Sequence, residues 1–420
     1  MQKMLSQADN DLLTQVGPGT PMGEMIRRFW LPALLESELP ENDGKPVRLR
    51  LMGEDLVAFR DTLGRVGILE ENCPHRGASL ALGVNEACGL RCIFHGWKFD
   101  VNGQCLDTPT EPEASKLAKH MRAKAYPVHV AGGVVWTFMG PREQQPVFPE
   151  FPFLHMASDH SVPFKILEDC NYAQAVEGTV DSAHVGVLHR ESPWEHEAKY
   201  SHEKDLRPKL EVEFTNYGLR YGAIRKLEDG QSHVRITECI LPFWTMIPPF
   251  GFGPMKNRRL INAFVPRDDT STWHIQWFFD PDVAIDVAYR IEEGGLQLDE
   301  NFRKLRNFDN WYMQDREMMK TDNLSGLIGA ITQDHAVCET QGRILDRTKE
   351  NLGRSDMAVV AWRRLMLKAA RALQNGVAPS ATGNIDWSKV VSETLTHGPE
   401  DHWQNVMPLP EELKPMASAA

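Results

Sequence analysis

From about residue 28 to 140 the apolar positions fall in short runs: Val47-Arg-Leu-Arg-Leu51, Leu56-Val-Ala-Phe59, Val66-Gly-Ile-Leu69 and Val134-Val-Trp-Thr-Phe138. Asp61-Thr-Leu-Gly64 separates the second and third, and Gly-Gly precedes the last, as hairpin and strand-boundary signals do. The pattern predicts a small all-β domain. Proline lacks the donor that a sheet interior needs, so the passage Pro141 to Pro152 marks a boundary. This gives domains of residues 1–145, with a helical N-terminal segment, and 146–420. Beyond it, helical features span Cys170 to His189, and a strand-rich stretch runs from about Leu210 to Phe279. Val234 to Ile240 and Trp273 to Phe279 alternate with period two, as half-buried strands do. Helical patterning returns in Asp299 to Met319, Asp334 to Glu350 and Asp356 to Gln374. The class is α+β: an N-terminal β domain, then an antiparallel sheet with flanking helices.

A chain of 420 residues exceeds what one core usually holds, which agrees with two domains. Its formal charge of -12 argues against a nucleic-acid partner. No apolar run reaches the roughly 18 residues that span a bilayer, and the opening MQKMLSQADNDLL lacks a signal-peptide core, so a cytoplasmic protein is expected. Seven cysteines, an odd number over a long chain, speak against a disulfide framework and favour metal binding by the clustered ones. Cys88, Cys105, Cys170, Cys239 and Cys338 read as plain buried thiols.

The clustered ones are Cys73-Pro-His75 and Cys92-Ile-Phe-His95. Thiolate and imidazole bind both zinc and iron, so ligand type alone leaves two readings. A glycine follows each pair, Gly77 and Gly96, and would let backbone pack closely against a cluster. A classical zinc finger keeps its cysteines in one pair and its histidines in the other. Here each pair is mixed, which resembles the Rieske [2Fe-2S] signature, with two cysteines on one iron and two histidines on the other. Neutral imidazoles in place of thiolates imply a raised potential, roughly -150 to +300 mV. Trp97 reads as packing over the loop.

An electron carrier needs a destination, and Asp181-Ser-Ala-His184-Val-Gly-Val-Leu-His189 is the candidate. On an ideal helix His184 and His189 lie about 140° apart, so they converge on one metal only if the helix is interrupted, and Gly186 would make that cheap. Two histidines need a carboxylate to complete a facial triad for Fe(II). Asp334 ranks first, ahead of His335, Glu339 and Asp356. Asp181 reads either as a capping acid or as the acceptor of a hydrogen bond from a ligand histidine.

Together these residues resemble the oxygenase component of Rieske non-haem iron aromatic-ring-hydroxylating systems, in the phthalate-type branch built of α subunits alone. The resemblance covers nearly the whole chain: Asn72 to Leu80, Phe94 to Phe99, Glu177 to His184 with His189, Val265 to Asp269, and Gln333-Asp-His with Gln341-Gly and Asp346-Arg347. It implies that Asp181 bridges His95 of one subunit to His184 of the next, within a head-to-tail trimer or a stacked hexamer. It also implies Fe(II) with O2 as co-substrate, and a cis-dihydrodiol product or, in some members, hydroxylation or demethylation. Electrons would come from a separate NAD(P)H-dependent reductase carrying flavin and iron-sulfur, since no GxGxxG loop stands in this chain. Glu177 departs from the Asn usual in the naphthalene-type branch.

That branch implies an anionic aromatic substrate, for which arginine is the suited partner. Arg207, Arg225 and Arg235 are the candidates, with Arg235 sharing a strand face with Thr237 and Cys239. Phe243, Trp244, Phe250 and Phe252 are candidates for an aromatic slot. The expected substrate is phthalate, isophthalate or a substituted benzoate. The alternatives are an O-demethylase or sulfonate monooxygenase, or a redox or zinc-binding module in which His184, His189 and Asp334 are structural.

Overall fold

The computed structural model describes residues 4–112, 115–189, 205–250 and 256–415. The short apolar runs of the first third become β1 (Trp30–Leu35), β2 (Val47–Leu51), β3 (Glu54–Arg60), β4 (Val66–Glu70), β5 (Val84–Glu86), β6 (Gly89–Arg91), β7 (Lys98–Phe99), β8 (Cys105–Asp107), β9 (Ala125–Tyr126), β10 (Val128–Ala131) and β11 (Val134–Phe138). They form three antiparallel sheets, in orders β1-β11-β10, β2-β3-β4-β9 and β5-β6-β7-β8. The Cys73 loop leaves β4, and the Cys92 loop joins β6 to β7.

The second half is built on one antiparallel sheet. Its strands are β12 (Ser161–Glu168), β13 (Lys209–Phe214), β14 (Gly218–Lys226), β15 (Ser232–Ile240), β16 (Trp244–Ile247), β17 (Arg259–Asp268), β18 (Ser271–Phe279) and β19 (Glu393–His397). They run in order β12-β18-β17-β16-β15-β14-β13, with β19 also paired to β15. Alternation in β15 and β18 suggested one wet face, but every residue of β18 and all but one of β15 are buried. Helices and segments cover both faces, so polar residues here point into protein rather than water.

The helices that position the sites and the core are α1 (Gln7–Thr14), α2 (Pro21–Ile26), α3 (Tyr172–Val180), α4 (Val185–Leu188), α5 (Val287–Gly294), α6 (Ala330–Glu339) and α7 (Met357–Gln374). Two expected helices are cut short. Asp299 to Met319 is mostly turns and a 3-10 segment, because Trp311, Tyr312 and Met313 all take positive φ. The helix expected over Asp334 to Glu350 ends at Glu339, before Gly342 at φ 97°.

The main core runs through both halves, with Trp136 of β11 stacked on Trp244 and Trp277 at 5.5 and 5.7 Å, while the metal-loop end of the first half packs a separate core around Val57, Leu69, Leu90 and Phe99. The N-terminal helices belong to the second half: Asp9 meets Arg371 of α7, and the Tyr172 hydroxyl donates to Leu13 O at 2.9 Å. No helix among the described residues is long and apolar enough to cross a membrane.

Candidate metal centres and catalytic cavity

The two Cys/His loops fold alike. Gly77 N donates to Cys73 O at 2.8 Å and Gly96 N to Cys92 O at 2.9 Å, while Cys73 N and Cys92 N reach Ala78 O and Trp97 O, each at 2.8 Å. Both turns require a left-handed residue, supplied by Gly77 and Gly96, each at φ 76°. At Gly96 a side chain would also meet Pro109 at 2.6 Å. The loops bring the rings of His75 and His95 to 4.5 Å, and Trp97 stacks on His75 at 4.2 Å.

Three observations fit a two-iron cluster. His95 Nδ1 is buried with no hydrogen-bond partner, as a nitrogen awaiting a metal would be. Burial and the facing Cys92 push the Cys73 thiol up to about 11, so a thiolate at Cys73 requires a strong positive centre. The donors divide by type, with the His75 and His95 rings paired at 4.5 Å and the Cys73 thiol facing Cys92, as the two irons of such a cluster need.

His184, His189 and Asp334 do gather within 4.8 Å. Asn171 caps α3 by accepting from Ala173 N at 3.1 Å, and α3 ends at Asp181. The break lies there rather than at Gly186, which sits inside the short α4: Asp181 Oδ1 accepts from Ala183 N at 2.7 Å and turns the chain. His184 and His189 then flank α4. Their Nε2 atoms face Asp334 Oδ1, near the start of α6, at 3.6 and 3.1 Å.

Their other nitrogens are held from outside. His184 Nδ1 lies 3.5 Å from Asp181 Oδ2, and His189 Nδ1 donates to Gln333 Oε1 at 2.7 Å. The Gln333 amide nitrogen donates to Ser325 Oγ and Leu327 O, which fixes its oxygen toward His189. Each histidine thereby presents Nε2 to Asp334, the arrangement that metal-ligating histidines use. Burial pushes Asp334 up, but His189 and His184 outweigh it and hold the carboxyl below its usual range. The three could hold a mononuclear metal.

Above them opens a cavity of about 360 Å³ between α3, α5 and α6 on one side and the sheet on the other. Arg235, Thr237, Tyr221, Phe250 and Phe264 line it. Arg207 is exposed outside the cavity, and Arg225 turns its guanidinium to Ser182 O and Asp205 O, each at 3.1 Å. Arg225 therefore steadies the turn between Asp181 and His184. Phe243 and Trp244 belong to the core, and Phe252 lies outside the described residues.

A second buried group, Glu168, His274 and His335, lies against the same cavity. Lys304 contacts His335 Nδ1, and burial followed by this cation lowers His274 to about 3. A neighbouring ammonium makes a second cation there unfavourable. Glu168, Asn262 and His274 carried no local motif; only inward polar positions on strands could have revealed them. Gln333 stands beside Asp334 in the sequence, but only its contact with His189 Nδ1 shows that it orients that ring.

Residues 29–127 match the family described as Rieske [2Fe-2S] domain, and residues 137–404 the one described as LigXa C-terminal domain like. The phthalate 4,5-dioxygenase oxygenase subunit of Pseudomonas putida is 41% identical over 90% of this chain and 89% of its own. The 3-chlorobenzoate-3,4-dioxygenase oxygenase subunit of Comamonas testosteroni is 34% identical over 90% and 92%. Dicamba monooxygenase has the same fold, with TM-score 0.59 and 19% identity over 84% of this chain and 99% of its own.

Proposed function

Since this chain belongs to the Rieske non-haem iron oxygenases, as the oxygenase component of a multicomponent ring-hydroxylating system, we propose that it cis-dihydroxylates an aromatic carboxylate of the phthalate, isophthalate or substituted benzoate class. The enzyme uses a [2Fe-2S] cluster, mononuclear iron and O2, and depends on a reductase or ferredoxin partner for electrons. Cys73 and Cys92 would hold one cluster iron and His75 and His95 the other; His184, His189 and Asp334 would hold the mononuclear iron. The metals supply electron storage and O2 activation.

Arg235 carries the substrate reading. It stands on the cavity-facing side of β15 with Thr237, in a wall whose rings from Tyr221, Phe250 and Phe264 suit an arene. A guanidinium in such a place can take a carboxylate through two parallel hydrogen bonds. The two relatives named for aromatic-acid substrates support the same class.

The test is anaerobic mixing with a panel of aromatic acids, then O2 and product identification. Arg235→Leu should raise KM for acids about 10- to 100-fold, the loss of a charged hydrogen-bond partner, with the cluster still reducible. Parent KM in that variant would remove Arg235 as the anchor, and formaldehyde release would indicate O-demethylation instead.

The assembly proposed is a head-to-tail trimer, alone or stacked as a hexamer, in which His95 of one subunit meets Asp181 of the next. The exposed Ile93 and Phe94 beside His95 support it, since a neighbour would cover them. A separate NAD(P)H-dependent reductase with flavin and iron-sulfur completes the system. Seven unpaired cysteines fit a reducing, cytoplasmic setting.

A further inference from the structure

Glu168 ends β12 against the cavity, with 1% of its surface exposed. Cys170 Sγ approaches its Oε1 at 3.6 Å, and its Oε2 has no hydrogen-bond partner. His335 Nε2 lies 3.6 Å from Oε2, beyond hydrogen-bond distance. That N–H is already used. Lys304 can only donate, so His335 Nδ1 accepts from it and the proton sits on Nε2, directed to His274 Nδ1 at 2.9 Å. His274 Nε2 in turn donates to Asn262 Oδ1 at 2.9 Å.

Apart from the weak Cys170 S–H at Oε1, these donors point elsewhere. A carboxylate at Glu168 would leave Oε2 buried without a partner, whereas a carboxylic acid could turn its own O–H into the cavity. Facing it are His274 from β18, Asp334, His335, Cys338 and Glu339 from α6, Lys304 and Tyr312 from the segment between α5 and α6, and Cys170 beside it. Burial, then the Glu339 charge, pushes Glu168 up to about 8 against the opposing pull of Lys304. It holds its proton at neutral pH.

We propose that Glu168 is a catalytic acid that delivers one of the protons consumed by the oxygenase reaction into the cavity. Dihydroxylation joins the arene, O2, two electrons from the partner and two protons into one diol, with both oxygen atoms retained. In the step assigned here the Glu168 O–H bond breaks, an O–H bond forms on the product, and the carboxylate left behind is reprotonated by solvent through the cavity. The role rests on the proposed oxygenase reaction; the protonation state does not.

Infrared difference spectra of parent minus Glu168→Gln protein, without substrate, should show a protonated-carboxyl band at pH 7 that bleaches with a midpoint near 8. Subtraction removes the band of Glu238, another buried acid held near 8. With O2 and a turned-over aromatic acid, Glu168→Gln should lower coupled product formation about 100-fold while O2 uptake yields peroxide. Glu168→Asp should recover part of the loss, and the parent's decline in turnover above pH about 8 should vanish in the Gln variant. An ionised Glu168 at pH 7, or parent coupling in Glu168→Gln, overturns the proposal. If the Gln variant does not fold, the pH-dependent band that remains in Glu238→Gln protein decides. If no aromatic acid is turned over by the parent, the substrate reading fails and the infrared result stands apart from it.

Discussion

Asp181 serves two bonds at once, turning the chain through Ala183 N and facing His184 Nδ1. Burial pushes its carboxyl up, but the His184 ring and the Ala183 and His184 backbone amides together outweigh that and leave it below the usual range. An amide keeps the turn but, carrying no charge, is a weaker acceptor for the His184 Nδ1 proton. Asp181→Asn should therefore keep a coloured, reducible cluster while product formation falls about 10- to 100-fold. Stopped-flow reduction read beside product yield checks this, and turnover at the parent rate would contradict the bridging role. Arg225 teaches the complementary lesson: its side-chain type suggested substrate, but its bonds to Ser182 O and Asp205 O give it the same turn to hold.

At the scale of elements, α3 is locked by Glu177. Arg347 Nε and Nη2 reach its carboxylate at 2.9 and 3.0 Å, and Arg363 Nε and Nη2 at 2.7 and 2.8 Å. Arg363 lies on α7, so the helix leading to Asp181 is pinned to the longest helix of the domain. Removing one partner from such a buried group leaves uncompensated charge, and Glu177→Gln should cost about 3–5 kcal/mol, read by denaturant unfolding. The pH dependence has a definite sign. Burial raises the Glu177 pKa, but Arg347 and Arg363 outweigh it, so the folded value lies below the unfolded one. Its stabilisation is present above the ordinary carboxylate pKa and is lost as pH falls through the depressed folded value. The Gln variant should show a shallower acid limb in a pH series of melting temperatures.

For the whole molecule, the tip of the β domain presents Ile93 at 59% and Phe94 at 52% exposure next to His95. A trimer that seats this tip on a neighbour should dissociate when the tip is charged. Ile93→Asp with Phe94→Glu is expected to shift the particle toward monomer by light scattering and to slow turnover, with the cluster spectrum unchanged. A monomeric parent would refute the assembly. The main core common to both halves acts at this scale too: Trp136 ties the β domain to the catalytic sheet.

Local chemistry was written in the chain. Ligand type and spacing marked Cys73, His75, Cys92 and His95, the β runs of the first third followed from turn residues and alternation, and α7 followed from its apolar period. Asp334 could be ranked first as the third partner of His184 and His189, but the roughly 150 residues between them are closed only by packing α6 on α3. Where the helix breaks, which arginine enters the cavity, and the buried group around Glu168 were decided by tertiary structure alone. Burial and partner geometry, not residue type, set whether a carboxyl carries charge or keeps its proton, and both arise only when distant strands and helices enclose it.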